Sequence, residues 1–317
     1  MKLNRPIPAA ILAALLLSLA GCGQKPAPAG DAQTEADENL PGGENDASSE
    51  EEEEVSAEEP APAPETAAPA EEAPAAEDGT AGDDLFTLDG RTYRLTFSDD
   101  FDGDSLDGKK WSLCPEWKRQ DVGGYWRDGE TSVHDGELWL EARIDEEGTP
   151  VSGAVRTLGH FEQAYGYFEA RMLWPETTGF WGAFWMMCGD VGREDGTAVS
   201  GAEIDIIESG ECAHRGVNHA IHWDGYGSAH KSVSHIISRV PELYEGWHTY
   251  GFAWTKDAYI FYIDGEETWR TSEPGICEKP GYMKLTTEFG SWAAPIVPKE
   301  LPAYCRVDWV RAWETVE

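Results

Sequence analysis

The chain has 317 residues, with 60 acids against 24 bases and a formal charge of −36. A field of that sign repels phosphate backbones, which excludes nucleic acid as a partner and leaves a neutral polymer or a cation compatible. All 14 tryptophans lie at or after Trp111, and the 232 residues from Phe86 to Glu317 suffice to bury the core of one large all-β domain.

The chain opens on an export signal. Lys2 and Arg5 form a basic start, and Ile7–Ala20 is a 14-residue apolar run interrupted only by Pro8 and Ser18. A membrane span needs roughly 18 apolar residues, so this run is too short to be one. It ends in Leu19-Ala20-Gly21-Cys22, which resembles the bacterial lipobox and implies cleavage before Cys22 and lipidation of it. Residues 1–22 are thus expected as a lipoprotein signal that leaves the protein anchored by lipid on the extracellular face of the membrane. An ordinary secretory signal would release it instead.

Residues 23–85 form an acidic stretch with 20 acids against Lys25, including the run Glu50–Glu54. It buries too little apolar surface to offset ordering entropy, so a disordered linker is expected. As a coil its 62 residues from Gly23 to Asp84 would span on the order of 45 Å, and its charge and prolines extend it further.

The texture changes in residues 86–317 to short runs with period-2 alternation. The predicted strands are Tyr93–Phe97, Leu138–Arg143, Gly166–Leu173, Ala183–Met187, Glu203–Glu208, His219–Trp223, His248–Trp254, Tyr259–Ile263, Met283–Thr287 and Cys305–Trp313. Asp102-Gly103, Asp135-Gly136 and Asp264-Gly265 are turn signals between them. No stretch sustains a 3.6-residue apolar period, and many short strands predict a β-sandwich. Six cysteines occur without metal-ligand spacing; lipidation of Cys22 leaves five, enough for two disulfides of unassigned connectivity.

The run Glu203-Ile-Asp205-Ile-Ile-Glu208 carries the chemistry. Alternation puts Glu203 and Asp205 on one face and Ile204 and Ile206 on the core side. Strict alternation would then send Glu208 inward. A β-bulge at Ile206-Ile207 inserts one residue and returns Glu208 to the acidic face. Three clustered acids repel, which favours one of them holding a proton, and glycoside hydrolysis needs one ionised and one protonated carboxyl. A solvated acidic strand face is the alternative, and the apolar isoleucines between the acids weigh against it.

Around this motif stand further landmarks: Phe97-Ser-Asp-Asp-Phe-Asp-Gly103 with Trp111, Val133-His-Asp-Gly-Glu-Leu138, Tyr165-Gly-Tyr-Phe-Glu-Ala-Arg171 and Gly179-Phe-Trp-Gly-Ala-Phe-Trp-Met186. Trp247-His-Thr-Tyr-Gly251, Phe261-Tyr-Ile-Asp-Gly265 and Val307-Asp-Trp-Val-Arg311 complete the order. Over residues 94–314 the chain resembles glycoside hydrolase family 16. The two residues between Asp205 and Glu208 are similar to the laminarinase-type branch. The resemblance implies a concanavalin-like β-jelly-roll sandwich with a concave substrate cleft. It makes Glu203 the nucleophile, Glu208 the general acid/base and Asp205 the assisting carboxylate.

Trp181 and Trp185 share a strand face, and the resemblance places Trp181 in the cleft; core packing is the alternative for both. Gly182 stands where many members have Pro. His222 and Trp223 lie one strand on, and His222 is a candidate for bonding substrate or Glu208; His230 is a weaker one. Trp126 with Arg127 could form a loop over the cleft, and Glu288 with Trp292 are further substrate-binding candidates. Arg156 could bind a sugar hydroxyl or pair with an acid. Catalysis requires no cofactor. A structural Ca²⁺ is common in the family, which makes Asp308 its candidate ligand, with pairing to Arg311 as the alternative.

The function implied is retaining, endo-acting hydrolysis of β-1,3 or mixed β-1,3/1,4 glucan by a protein expected to be a monomer. Agarase, carrageenase, porphyranase and transglycosylase activities are the alternatives within the fold. Sulfated galactans would favour basic cleft residues, and Lys and Arg are scarce between Trp181 and Trp223. A non-hydrolytic, glycan-binding surface lipoprotein is the alternative from another class, and the three retained acids argue against it.

Overall fold

The computed structural model describes residues 85–116, 118, 124–209, 216–290, 293 and 295–316. The expected export signal, Cys22, nearly all of the acidic linker, Cys212 and Trp292 lie outside the described residues. Two antiparallel-dominated sheets make up the domain, with no α-helix among the described residues.

The seven-stranded sheet has the order Lys231–Ile237, Val217–Trp223, Gly201–Glu208, Phe180–Gly189, Gly281–Phe289, Ala154–Arg156 and Ser112–Leu113. The eleven-stranded sheet runs Glu266–Thr271, Tyr259–Ile263, His248–Trp254, Gly166–Leu173, Ala303–Val316, Glu137–Ile144, Pro150–Ser152 and Tyr125–Trp126. The 14-residue strand Ala303–Val316 organises this second sheet: its first half pairs with Glu137–Ile144 and its second half with Arg91–Asp99. Leu85–Leu88 then pairs with Arg91–Asp99, and Thr131–His134 with Glu137–Ile144.

The sheets meet face to face because their alternating apolar residues belong to one core. Leu138, Leu140, Phe168, Met172, Phe252 and Phe261 from one sheet pack with Phe184, Met186, Ile204, Ile221, Met283 and Leu285 from the other. Each such side chain contributes about 1.5–3 kcal/mol on burial. The result is the expected jelly-roll sandwich.

All ten predicted strands are present: three have the predicted bounds, and the other seven extend by one to three residues at one or both ends. Asp135-Gly136 and Asp264-Gly265 are tight hairpin turns with positive φ at both residues, where Asp and Gly tolerate the left-handed region. The pair Asp102-Gly103 joins no hairpin and leads into an irregular segment before Trp111. Shorter strands such as Ala154–Arg156 and the edge strand Lys231–Ile237 escaped the periodicity search. The first spans three residues, and the second is too polar and exposed to alternate.

Cys114, Cys188, Cys277 and Cys305 are buried free thiols, so no disulfide forms among the described cysteines. Asp308 Oδ2 is held 2.5 Å from Arg171 Nη1, and Arg311 pairs with Asp100 instead. A carboxylate already neutralised by a guanidinium is a poor ligand for a hard cation, so Asp308 does not fit the structural Ca²⁺ expected there.

Candidate active site

The strand Gly201–Glu208 is buried along its whole length, yet its two faces differ in kind. Ala202, Ile204, Ile206 and Ile207 belong to the core. Glu203, Asp205 and Glu208 occupy the opposite face and are only 5%, 2% and 2% exposed. On the neighbouring strand Phe180–Gly189, Met187, Trp185 and Ala183 stand opposite Glu203, Asp205 and Glu208. Ile206 has no partner there, and the register toward Val217–Trp223 also shifts between Asp205 and Glu208. This is the bulge the spacing required. It takes one residue out of the ladder, so the rungs of Glu203 and Glu208 lie four strand steps apart, about 13 Å, rather than five.

Two of the acids accept a side-chain hydrogen bond, and the third faces an imidazole. The Tyr226 hydroxyl donates to Glu203 Oε2. His222 Nε2 lies 3.1 Å from Asp205 Oδ2. Asn218 Nδ2 donates to Glu208 Oε2 at 2.9 Å. Tyr226 and His222 are themselves linked: His222 Nδ1 and His230 Nε2 are 3.0 Å apart with stacked rings, and His230 stacks on Tyr226. One ligand atom from each of Glu203, Asp205 and His222 falls within a 4.8 Å cluster, a set able to hold a metal ion. In this arrangement the Tyr226 hydroxyl orients the Glu203 carboxylate, which suits a nucleophile.

Beside the acids lies a face of aromatic and cationic side chains. Trp185 is 9% exposed and donates Nε1–H to Thr286 Oγ1 at 3.1 Å. Trp126, from Tyr125–Trp126, donates Nε1–H to Thr287 O at 3.2 Å. Both pack in a cluster with Cys114, Ala154 and Ala183, separate from the main core. Trp181 shares the face of Trp185, and Glu288 is its register partner on Gly281–Phe289. Lys284 projects its ammonium 3.6 Å from the Trp185 ring centroid and 4.6 Å from that of Trp126. Arg156 is the register partner of Lys284 on the next strand, so two cations adjoin on this face.

Gly182 has a local reason. A Cβ there would come within 2.1 Å of the Trp174 ring, and its N–H donates to Ser209 Oγ at 3.0 Å. Proline would lose both the space and the donor.

Among the expected site residues, Glu203, Asp205, Glu208, Trp181, Trp185, His222 and Glu288 all belong to this face of the seven-stranded sheet, and Trp126 packs against it from the other sheet. Trp223 does not. It packs into the main core with Val217 and Ile221, because neighbours on a strand point to opposite sides and His222 takes the acidic one. Arg127 instead pairs with Asp145 at 2.8 Å. Sequence reasoning passed over Asn218, Tyr226 and Lys284. Asn218 stands four residues from His222 and Lys284 four from Glu288, spacings that place each pair on one face. Tyr226 lies in the turn after the strand, where no periodicity points to it.

Comparisons with known proteins bear on the family and the fold. The family model described as "Beta-porphyranase A-D, GH16 domain" matches residues 94–315. Beta-porphyranase E of Zobellia galactanivorans is 30% identical over 244 residues, covering 69% of this chain and 86% of that protein. Endo-1,3-1,4-beta-glycanase EglC of Rhizobium meliloti is 30% identical over 191 residues, covering 57% of this chain but only 39% of that longer protein. The endo-beta-1,3-glucanase structure from Pyrococcus furiosus superimposes with a TM-score of 0.62 at 27% identity, covering 74% of this chain and 99% of that one. The chain belongs to glycoside hydrolase family 16.

Proposed function

We propose that residues 86–317 are a retaining, endo-acting β-glucan hydrolase cleaving β-1,3 or mixed β-1,3/1,4 linkages. The observation that carries this reading is the bulged strand, with Glu203, Asp205 and Glu208 on one face, a donor on Glu203 and on Glu208, and His222 beside Asp205. Ionised Glu203 attacks the anomeric carbon while Glu208 protonates the leaving oxygen. Asn218 donates to Oε2 of Glu208, so the transferable proton sits on Oε1. Esterification removes the charge of Glu203, and Glu208 then takes a proton from the attacking water. Asp205, beside His222, supports Glu203 between the two steps. Glucanase relatives and structural neighbours favour a glucan as substrate.

A second reading is hydrolysis of a sulfated galactan. The porphyranase description of the family model and the adjoining cations Lys284 and Arg156 favour it. Chromatography of products from laminarin, lichenan, barley β-glucan, agarose, porphyran and carrageenan separates the two. Glu203→Gln and Glu208→Gln should each abolish hydrolysis while leaving binding intact, and activity surviving both substitutions would sink the assignment. Proton NMR of the first product should show the β-anomer.

The reading extends to export, lipidation of Cys22 and display outside the cell, supported by the basic start, the apolar run and Leu19-Ala20-Gly21-Cys22. Labelled palmitate should enter the wild-type protein and not Cys22→Ser, which should appear in the medium.

A further inference from the structure

The bulge that creates the acidic face also creates a backbone problem. Ile206 has no register partner on either flanking strand, and its side chain is fully buried. A buried carbonyl left without a donor is destabilising and favours relaxation of the chain toward a regular ladder. Removing the bulge would turn Glu208 into the core, because a one-residue slip reverses every side chain.

His219 meets that carbonyl. It is the residue of Val217–Trp223 that faces the pair Ile206-Ile207, and its Nδ1 lies 2.5 Å from Ile206 O. The imidazole is fully buried on the core side, stacked on Phe261 at 4.8 Å and over Trp269 at 6.5 Å. Its Nε2 is 2.9 Å from Thr268 Oγ1. Burial pushes the imidazolium pKa down to about 4, so the ring is neutral and carries one N–H. A carbonyl only accepts, which puts that proton on Nδ1; Nε2 faces the Thr268 hydroxyl, which also donates to Phe261 O at 3.1 Å. Phe261, Thr268 and Trp269 all belong to the eleven-stranded sheet, so the opposite layer of the sandwich holds the ring in place.

We propose that His219 is a positioning residue for the acid/base Glu208, acting through the bulge carbonyl of Ile206. It works together with Asn218. These consecutive residues point to opposite faces, one bonding the Glu208 carboxylate and the other the backbone two residues before it. Glu203 is framed separately, by Tyr226 and by its rung with Met187, so loss of His219 disturbs the acid/base more than the nucleophile.

The inference rests on Glu208 being the acid/base, and leaving-group dependence tests it directly. A 2,4-dinitrophenyl glycoside departs without protonation, whereas a polysaccharide needs the acid. His219→Phe keeps the aromatic stack and removes the donor; His219→Asn returns an amide N–H near the Nδ1 position. Relative to wild type, H219F should lose on the order of 10²-fold in kcat on the polysaccharide the wild type cleaves, with KM within about twofold. On the dinitrophenyl glycoside of the same sugar it should lose less than about tenfold, and H219N should recover most of the polysaccharide rate. Equal losses on both substrates, or a folded H219F with full polysaccharide activity, would overturn the proposal alone. A wild-type protein that cleaves neither substrate overturns the hydrolase reading and this proposal with it. Should H219F fail to fold, Thr268→Val carries the same comparison, since it removes only the hydroxyl that fixes the ring.

Discussion

Asn218 holds Glu208 by a single hydrogen bond, Nδ2 to Oε2 at 2.9 Å, from a side chain that is 7% exposed. A buried donor to a carboxylate contributes about 1.5–3 kcal/mol, roughly ten- to a hundredfold in rate if it is felt in the transition state. Asn218→Ala should lower kcat by about that factor with little change in KM. Asn218→Asp replaces the donor by a like charge and should be worse. Initial-rate kinetics on the cleaved polysaccharide check both, and an N218A enzyme with wild-type kcat would show that the bond does no positioning.

Substitution of Lys284 tests whether the substrate is neutral or anionic. Its ammonium sits between the Trp185 and Trp126 rings, beside Arg156. Lys284→Met keeps the stem and removes the charge. If the cleft takes a sulfated galactan, K284M should raise KM on it by about tenfold or more, because a partly desolvated charge pair is strong and geometrically exacting. On a neutral glucan the same change should stay within about threefold. A uniform loss on both would assign Lys284 to packing of the two tryptophans.

Acid should weaken the contribution of His219 to stability. Burial lowers its folded-state pKa to about 4 from 6.5; the Ile206 carbonyl and Glu208 pull it up, and His235 pushes it down. The unfolded chain therefore binds more protons between these values, so this contribution is full above pH 6.5 and lost as pH falls toward 4. Glu169 acts in the opposite sense, since burial raises its carboxyl to about 7 and its contribution fades as pH rises. Comparison of two proteins removes that opposing effect. In urea unfolding, the stability deficit of His219→Phe against wild type should shrink by about 2 kcal/mol between pH 7 and pH 5. A deficit constant with pH would mean that the imidazole binds its proton equally well in the folded and unfolded states.

Much of the site was legible because strand geometry is local. A period of two separates Glu203 and Asp205 from Ile204, and the same period applied to Asp205 and Glu208 demands one extra residue, which the structure supplies at Ile206. The same rule, applied strictly, would also have kept Trp223 out of the cleft, because His222 and Trp223 cannot share a face. Long strands with a buried face, such as Gly166–Leu173 and His248–Trp254, carry that alternation plainly. Three-residue strands such as Ala154–Arg156 are too short to show it.

The sequence alone determined which residues alternate, where the chain must turn and where an acidic face needs a bulge, since each depends on neighbours along the backbone. Tertiary structure decided what meets across the sandwich. Tyr226 reaches Glu203 from a turn, Lys284 enters between two tryptophans from different strands, and Asp308 pairs with Arg171 rather than with Arg311. His219 holds the bulge only because Phe261, Thr268 and Trp269 come from the other sheet. These contacts join residues far apart in the chain, and their partners are set by sheet order and register, which no local pattern encodes.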